Sequence, residues 1–163
     1  MKVAIVLFNL GGPDSLEAVQ PFLFNLFNDP AIIGVANPIR WLLAHWVSFK
    51  RAPIAKEIYS HLGGSSPLLT QTIDQAQALE KQFSGEDEVK TFVAMRYWHP
   101  MSDETARAVK EFGADKVILL PLYPQFSTTT TGSSLTEWKS AAHKAGVIAP
   151  TTAICCYPQE LGF

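Results

Sequence analysis

Four short apolar runs recur along the chain, at residues 3–10, 89–95, 116–122 and 151–157. Each has strand length and is rich in β-branched or aromatic residues. None alternates cleanly between apolar and polar positions, which is the pattern of strands covered on both faces. Helical patterns fill the intervals. Asp14 with Glu17 three residues on resembles a capping box for a helix starting near Ser15, which Pro21 then kinks or restarts. Asn37-Pro38 reads as N-cap then first helical residue, opening a helix over 39–49, and Pro53 restarts it for a second piece to about His61. Leu69, Ile73, Ala76, Leu79 and Phe83 share one face of a helix ending at Gly85. Ser102 caps a helix to Phe112 with Gly113 beyond it, and a last helix runs from about Ser133 to Ala145, followed by Gly146. Strand and helix in alternation predict an α/β domain with a parallel sheet.

One interval is out of proportion. The first crossover runs from Gly11 to Glu88, whereas a whole βαβ unit needs roughly 30 residues. Oversized insertions in compact domains are usually functional. The insertion is expected at about 16–61. Between residues 16 and 49 only Glu17, Asp29 and Arg40 are fully charged, while Phe22, Phe24, Phe27, Trp41, Trp46 and Phe49 crowd in, and Lys50-Arg51 follow at once. Three readings stay open. The aromatics pack into a core. Or they wall a flat apolar ligand whose anionic tails are held by Lys50 and Arg51. Or they form a membrane-surface helix pair, for which the polar face is poor in basic residues.

Composition narrows the class. With 47% hydrophobic and 17% charged residues over 163 positions, a disordered chain is excluded. A net charge of −2 gives no basic surplus, so no nucleic-acid partner is expected. Two adjacent cysteines, Cys155 and Cys156, cannot make a disulfide framework and point to a reducing compartment. At the end of a strand expected to be buried, they read as inert small hydrophobes. The apolar start is too short for a secretory signal, and no uninterrupted apolar run reaches membrane-spanning length. A cytoplasmic protein is expected.

Ligands of open parallel sheets sit beyond the carboxyl ends of the strands. The first strand runs into Asn9-Leu10-Gly11-Gly12-Pro13-Asp14, whose paired glycines permit close backbone approach but do not make a dinucleotide fingerprint. The second ends in Met95-Arg96-Tyr97-Trp98-His99-Pro100. The third ends in Tyr123-Pro124-Gln125-Phe126 and a Ser/Thr-rich stretch over 127–134 that enters a helix. Hydroxyls and amides at a helix N-terminus favour anions; capping explains part of this stretch, but it holds more hydroxyls than one cap needs. Gly63-Gly64-Ser65-Ser66-Pro67 is a second hydroxyl-rich turn, either turn and cap or a carboxylate or phosphate cradle. Among His45, His61, His99 and His143 no zinc-site spacing occurs. His45 and His61 read as helix-surface residues, and His143 suits a helix C-terminus. His99, beside Arg96, is either a structural hydrogen bonder or the best polar candidate. No Ser-His-Asp or Cys-His constellation follows from spacing.

Taken in order, Asn9-Leu10-Gly11-Gly12-Pro13, Pro21-Phe22-Leu23, Lys50-Arg51-x-Pro53, Gly63-Gly64-Ser65-Ser66-Pro67, Arg96-Tyr97-x-His99-Pro100 and Leu120-Pro121-Leu122-Tyr123-Pro124-Gln125-Phe126-Ser127 through Thr131-Gly132-Ser133-Ser134 resemble ferrochelatase, the family that inserts ferrous iron into a porphyrin to form haem. Any one motif is weak; six in sequence are specific. The resemblance implies a Rossmann-like, doubly wound four-stranded parallel sheet forming one of the two lobes of the chelatase fold. The porphyrin would lie between those lobes. Residues 1–163 would be the N-terminal porphyrin-binding lobe, stopping at Gly162-Phe163, with the C-terminal lobe as missing partner. The implied activity is that of a lyase of haem biosynthesis, with ferrous iron and porphyrin as substrates and no cofactor. The family's catalytic histidine and glutamate would lie beyond residue 163, so the chain would hold no catalytic or metal residue and be inactive alone. Leu10 would face the macrocycle. Porphyrin and propionate contacts map onto Arg51, Tyr59 and Ser66, and Arg96, Tyr97 and Tyr123 fall on cleft-lining strand ends. The stretch from Phe22 to Phe49 falls on the family's mobile lip, with a peripheral membrane contact as its further reading. Some relatives carry cysteine where Thr128 stands, and some hold an iron–sulfur cluster; Cys155-Cys156 do not match those positions, so no cluster is expected. A non-catalytic tetrapyrrole-binding or carrier lobe is the alternative.

Overall fold

The computed structural model describes residues 1–160; Gly162-Phe163, the expected stop, lie outside the described residues. In chain order the elements are β1 (Lys2–Asn9), α1 (Val19–Phe27), α2 (Ile39–His61), α3 (Leu68–Glu80), β2 (Glu88–Met95), α4 (Ser102–Phe112), β3 (Lys116–Pro121), a π-helical turn (Thr128–Gly132), α5 (Ser133–Ala145) and β4 (Thr151–Ala153). The chain forms two compact units, one of Met1–Leu10 with the chain from Thr70 onward, the other of Gly11–Leu69.

The first unit is a four-stranded sheet in the order β2-β1-β3-β4, parallel throughout. Central β1 pairs with β2 from Lys2 opposite Glu88 to Asn9 opposite Met95, and with β3 from Val3 opposite Lys116 to Phe8 opposite Pro121. Both of its faces are apolar, and successive side chains point to opposite sides. Ala4, Val6 and Phe8 join Ala106 and Val109 of α4 and Trp138 and Ala141 of α5; Phe8 meets Trp138 edge-on at 5.8 Å. Val3, Ile5 and Leu7 join Ala76 of α3 on the other face. This is the parallel α/β arrangement the apolar runs predict, in the doubly wound form the resemblance implies. Glu80, closing α3, accepts both the Thr91 amide (2.6 Å) and the Thr91 hydroxyl (2.7 Å), fixing that helix end to β2.

Several expectations are corrected. The first turn is capped by Ser15, whose Oγ accepts the Ala18 amide at 3.2 Å, and α1 starts only at Val19. Pro21 then falls in the first helical turn, where a missing N–H is harmless. Pro38, not Asn37, precedes α2, and that helix continues unbroken through Pro53. The carbonyl that Pro53 leaves unbonded belongs to exposed Phe49, so water can satisfy it. On α3 the buried positions are Thr72 and Ala76, while Ile73 and Phe83 are exposed and the helix ends at Glu80 rather than Gly85. The last strand is three residues long, lies at the sheet edge and is exposed, so Cys155 and Cys156 beyond it are exposed rather than buried.

In the second unit α1 packs on α2. Phe24 meets His45 edge-on at 4.4 Å, and His45 stacks on Trp41 at 4.1 Å. Phe22 and Leu23 are buried, whereas Trp46 (61% exposed) and Phe49 (64%) stand in solvent, so the aromatic stretch divides between core and surface. No helix among the described residues is long and apolar enough to cross a membrane.

Candidate functional site

The ladder of the first unit continues past the strand ends, and this fixes the loops there. The Asn9 carbonyl accepts the Arg96 amide (2.9 Å), the Leu10 carbonyl accepts the Tyr97 amide (3.0 Å), and the Phe8 carbonyl accepts the Leu122 amide (2.8 Å). The Asn9 side chain locks the end of β1. Its Oδ1 accepts the Leu10 amide at 2.9 Å and its Nδ2 donates to Thr72 Oγ1 at 3.0 Å. Leu10, Arg96 and Tyr97 are therefore joined through main-chain bonds at the carboxyl end of the sheet.

Arg96 extends from this end to the start of α5, where its Nε donates to Ser133 Oγ at 2.7 Å; its guanidinium stands 4.8 Å from the Tyr97 ring centre. Tyr97 is fully buried. Burial pushes the Tyr123 phenol up to about 12, against the opposing pull of the facing Ser134 hydroxyl and the Arg96 charge. Ser127 caps the π-helical turn: its Oγ accepts the Thr129 amide at 3.2 Å, and its carbonyl accepts the Gly132 amide at 2.9 Å. Capping thus accounts for Ser127 and Thr129. The buried hydroxyls of Tyr123, Thr131 and Ser134 complete no hydrogen bond of normal geometry among the described residues. Hydroxyls buried in this state need an explanation, such as a ligand or a bound water. Ser133, Thr131 and Ser134 were visible in the sequence only as members of a hydroxyl-rich run; which of them cap and which face inward is a matter of helical phase.

In the second unit Gly63 and Gly64 both adopt left-handed backbone (φ 87° and 90°), the conformation that glycine supplies without strain. The turn closes α2 through the Gly64 amide on the Tyr59 carbonyl (2.8 Å) and brings the Ser66 amide onto the Pro13 carbonyl (2.8 Å). Ser66 Oγ accepts the Leu68 amide at 3.3 Å, so the turn-and-cap reading is realised here. The same hydroxyl presses on the Gly11-Gly12 loop: a Cβ on Gly12 would stand 2.5 Å from Ser66 Cβ, closer still to Oγ, and 4.0 Å from the Tyr59 hydroxyl. Ser66 and Tyr59 therefore converge on Gly12. Burial raises the Tyr59 phenol above its ordinary value. Arg51 is exposed on α2, its guanidinium 5.5 Å from the centre of the Phe27 ring. It precedes Tyr59 by roughly 12 Å along the helix axis at 1.5 Å per residue.

His99 takes the structural role. Its Nδ1 lies 2.7 Å from Glu104 Oε2, which also accepts the Met101 amide at 2.7 Å at the start of α4. His45, His61 and His143 are exposed on helices. Among the described residues no group of three or more His, Cys, Asp or Glu side chains is placed to hold a metal ion.

The family model for ferrochelatase matches residues 2–163. The chain belongs to the ferrochelatase family. Ferrochelatase of Caulobacter vibrioides (strain NA1000 / CB15N) is 57% identical over 164 residues, covering 99% of this chain and 46% of the relative. Ferrochelatase of Hyphomonas neptunium is 54% identical over 167 residues, with 99% and 45% covered, and that of Wolbachia pipientis wMel 52% over 165 residues, with 100% and 52% covered. The chain spans about half the length of the curated ferrochelatases it matches.

Proposed function

We propose that the chain carries porphyrin contacts for ferrochelatase activity, the insertion of ferrous iron into protoporphyrin IX with release of two protons to give protohaem, a lyase step of haem biosynthesis. The observation that carries this reading is the strand-end assembly of Leu10, Arg96 and Tyr123, backed by the buried Tyr97, in a chain whose matched relatives are ferrochelatases. Leu10 supplies an apolar contact to the ring face. Arg51 faces a propionate, and Tyr59 and Ser66, further along the chain, supply separate hydrogen bonds to the porphyrin; exposure leaves the Arg51 charge available to a carboxylate that arrives from water. Tyr123, with its phenol at about 12, keeps its proton at neutral pH and donates a hydrogen bond rather than accepting a pyrrole proton. In this reading the two protons pass to a histidine and a glutamate in the other half of the protein, and binding energy from the wall of the site goes into bending the macrocycle. Trp46 and Phe49, exposed beside Lys50 and Arg51, favour a peripheral contact with an anionic lipid surface.

The test is a fluorescence titration of the 163-residue chain with protoporphyrin. Saturable quenching is expected, weakened about tenfold by Arg51→Ala through loss of a charge-assisted bond. Unchanged affinity in Arg51→Ala overturns the propionate role, and absence of binding overturns the reading of the wall. The chain alone should give no measurable iron insertion, so steady haem formation would refute the placing of the base outside it.

A further inference from the structure

Cys155 and Cys156 follow the exposed edge strand β4, are themselves exposed, and hold their sulfurs 3.0 Å apart. The segment containing them is a tether. On one side the Ile154 amide donates to the Leu119 carbonyl of β3 (2.9 Å); on the other the Tyr157 amide donates to the Pro124 carbonyl (2.9 Å) and the Tyr157 hydroxyl to the Pro121 carbonyl (2.8 Å). The pair thus bridges the end of β3 and the loop that carries Tyr123.

We infer that Cys155-Cys156 is a thiol-redox modification site, a vicinal dithiol that closes reversibly to a disulfide and thereby acts on the Tyr123 loop. Consecutive Cα atoms are about 3.8 Å apart across a trans peptide, whereas disulfides prefer roughly 4.4–6.8 Å. A bond between neighbours is therefore strained, and strained, exposed disulfides are the labile ones. Closure must also reshape the Cys155–Cys156 peptide, and the two flanking anchors pass that change to residues 121–124. With oxidised glutathione as oxidant, the Cys155 thiolate attacks one glutathione sulfur and releases the first glutathione thiolate, which takes up a proton. The Cys156 thiolate, having lost its proton to solvent, then attacks Cys155 Sγ and releases the second glutathione. Two thiols are oxidised by two electrons and one glutathione disulfide is reduced to two thiols.

The experiment is intact-mass analysis of the 163-residue chain in oxidised glutathione, with peptide mapping and amide exchange. The expected product is a monomer lighter by two hydrogens, the bond mapped within one peptide and restored by dithiothreitol. Cys155→Ser and Cys156→Ser should instead each retain one glutathione adduct. In the oxidised chain the Tyr157 amide should exchange faster than in the reduced chain. Stable glutathione adducts or disulfide-linked dimers of the unsubstituted chain, without loss of two hydrogens, overturn the site. Ring closure with unchanged Tyr157 exchange overturns its action on the loop.

Discussion

Replacing Gly12 by alanine tests how the second unit is assembled. Gly12 lacks left-handed backbone, so the substitution acts through volume alone. The added Cβ would lie 2.5 Å from Ser66 Cβ, far inside contact distance, and Ser66 cannot retreat freely because its amide is bonded to the Pro13 carbonyl and its hydroxyl to the Leu68 amide. Overpacking of this kind costs about 1–3 kcal/mol. For a chain of this size that is a fall in Tm of roughly 2–12 °C, at about 2–4 °C per kcal/mol. Ser66→Gly removes both clashing atoms. On its own it should cost about 1 kcal/mol, from the lost cap and added chain entropy. The double variant should then be more stable than the sum of the two single effects predicts, by at least about 0.5 kcal/mol. Urea unfolding followed by tryptophan fluorescence measures all four forms. Strict additivity would show that Gly12 and Ser66 do not meet, and the reasoning about this turn would fall.

Other perturbations probe separate bonds. The Tyr123 phenol titrates near 12 in the folded chain and near 10 when unfolded, so stability from this group is intact below pH 10 and drains away as pH rises toward 12. The slope is about 1.4 kcal/mol per pH unit, and alkaline unfolding of Tyr123→Phe should lack it. The Thr91 amide and hydroxyl hold the Glu80 carboxyl below its ordinary value, so its contribution is present above pH 4.5 and is lost as pH falls through the folded value. Glu80→Gln should therefore be less stable than the parent at pH 7 and converge with it in acid; a constant gap across a pH series of urea melts would refute the pairing. Asn9→Ala removes the bonds to Leu10 and Thr72. It should lower stability by about 1–3 kcal/mol through the loss of two hydrogen bonds and loosen the Leu10 loop, seen as faster amide exchange at Leu10.

The parallel sheet was legible because β1 is apolar on both faces, a pattern few other environments produce. The end of α4 was legible because Gly113 takes the left-handed conformation beyond it. Pro53 misled because a proline weakens a helix in proportion to what its lost bond leaves buried, and exposure of Phe49 is a tertiary fact. Residues 151–157 misled for a similar reason: threonine, isoleucine and cysteine read alike on a central strand and on an edge. At the strand ends the motifs flagged Leu10, Arg96, Tyr97 and Tyr123, but the bonds that hold Arg96 and Tyr97 beside Leu10 are made by main-chain amides, which carry no signature. Ser133 as partner of Arg96, and Ser66 as neighbour of Gly12, depend on how distant segments meet.

Leu10 is held by its own amide and carbonyl, each committed to a neighbour. Bonds of this kind do not depend on the identity of the side chain. Methionine, isoleucine or phenylalanine could take its place with both bonds kept, so the texture of this surface can drift in evolution, or be tuned by design, while the main-chain scaffold that presents it stays constant.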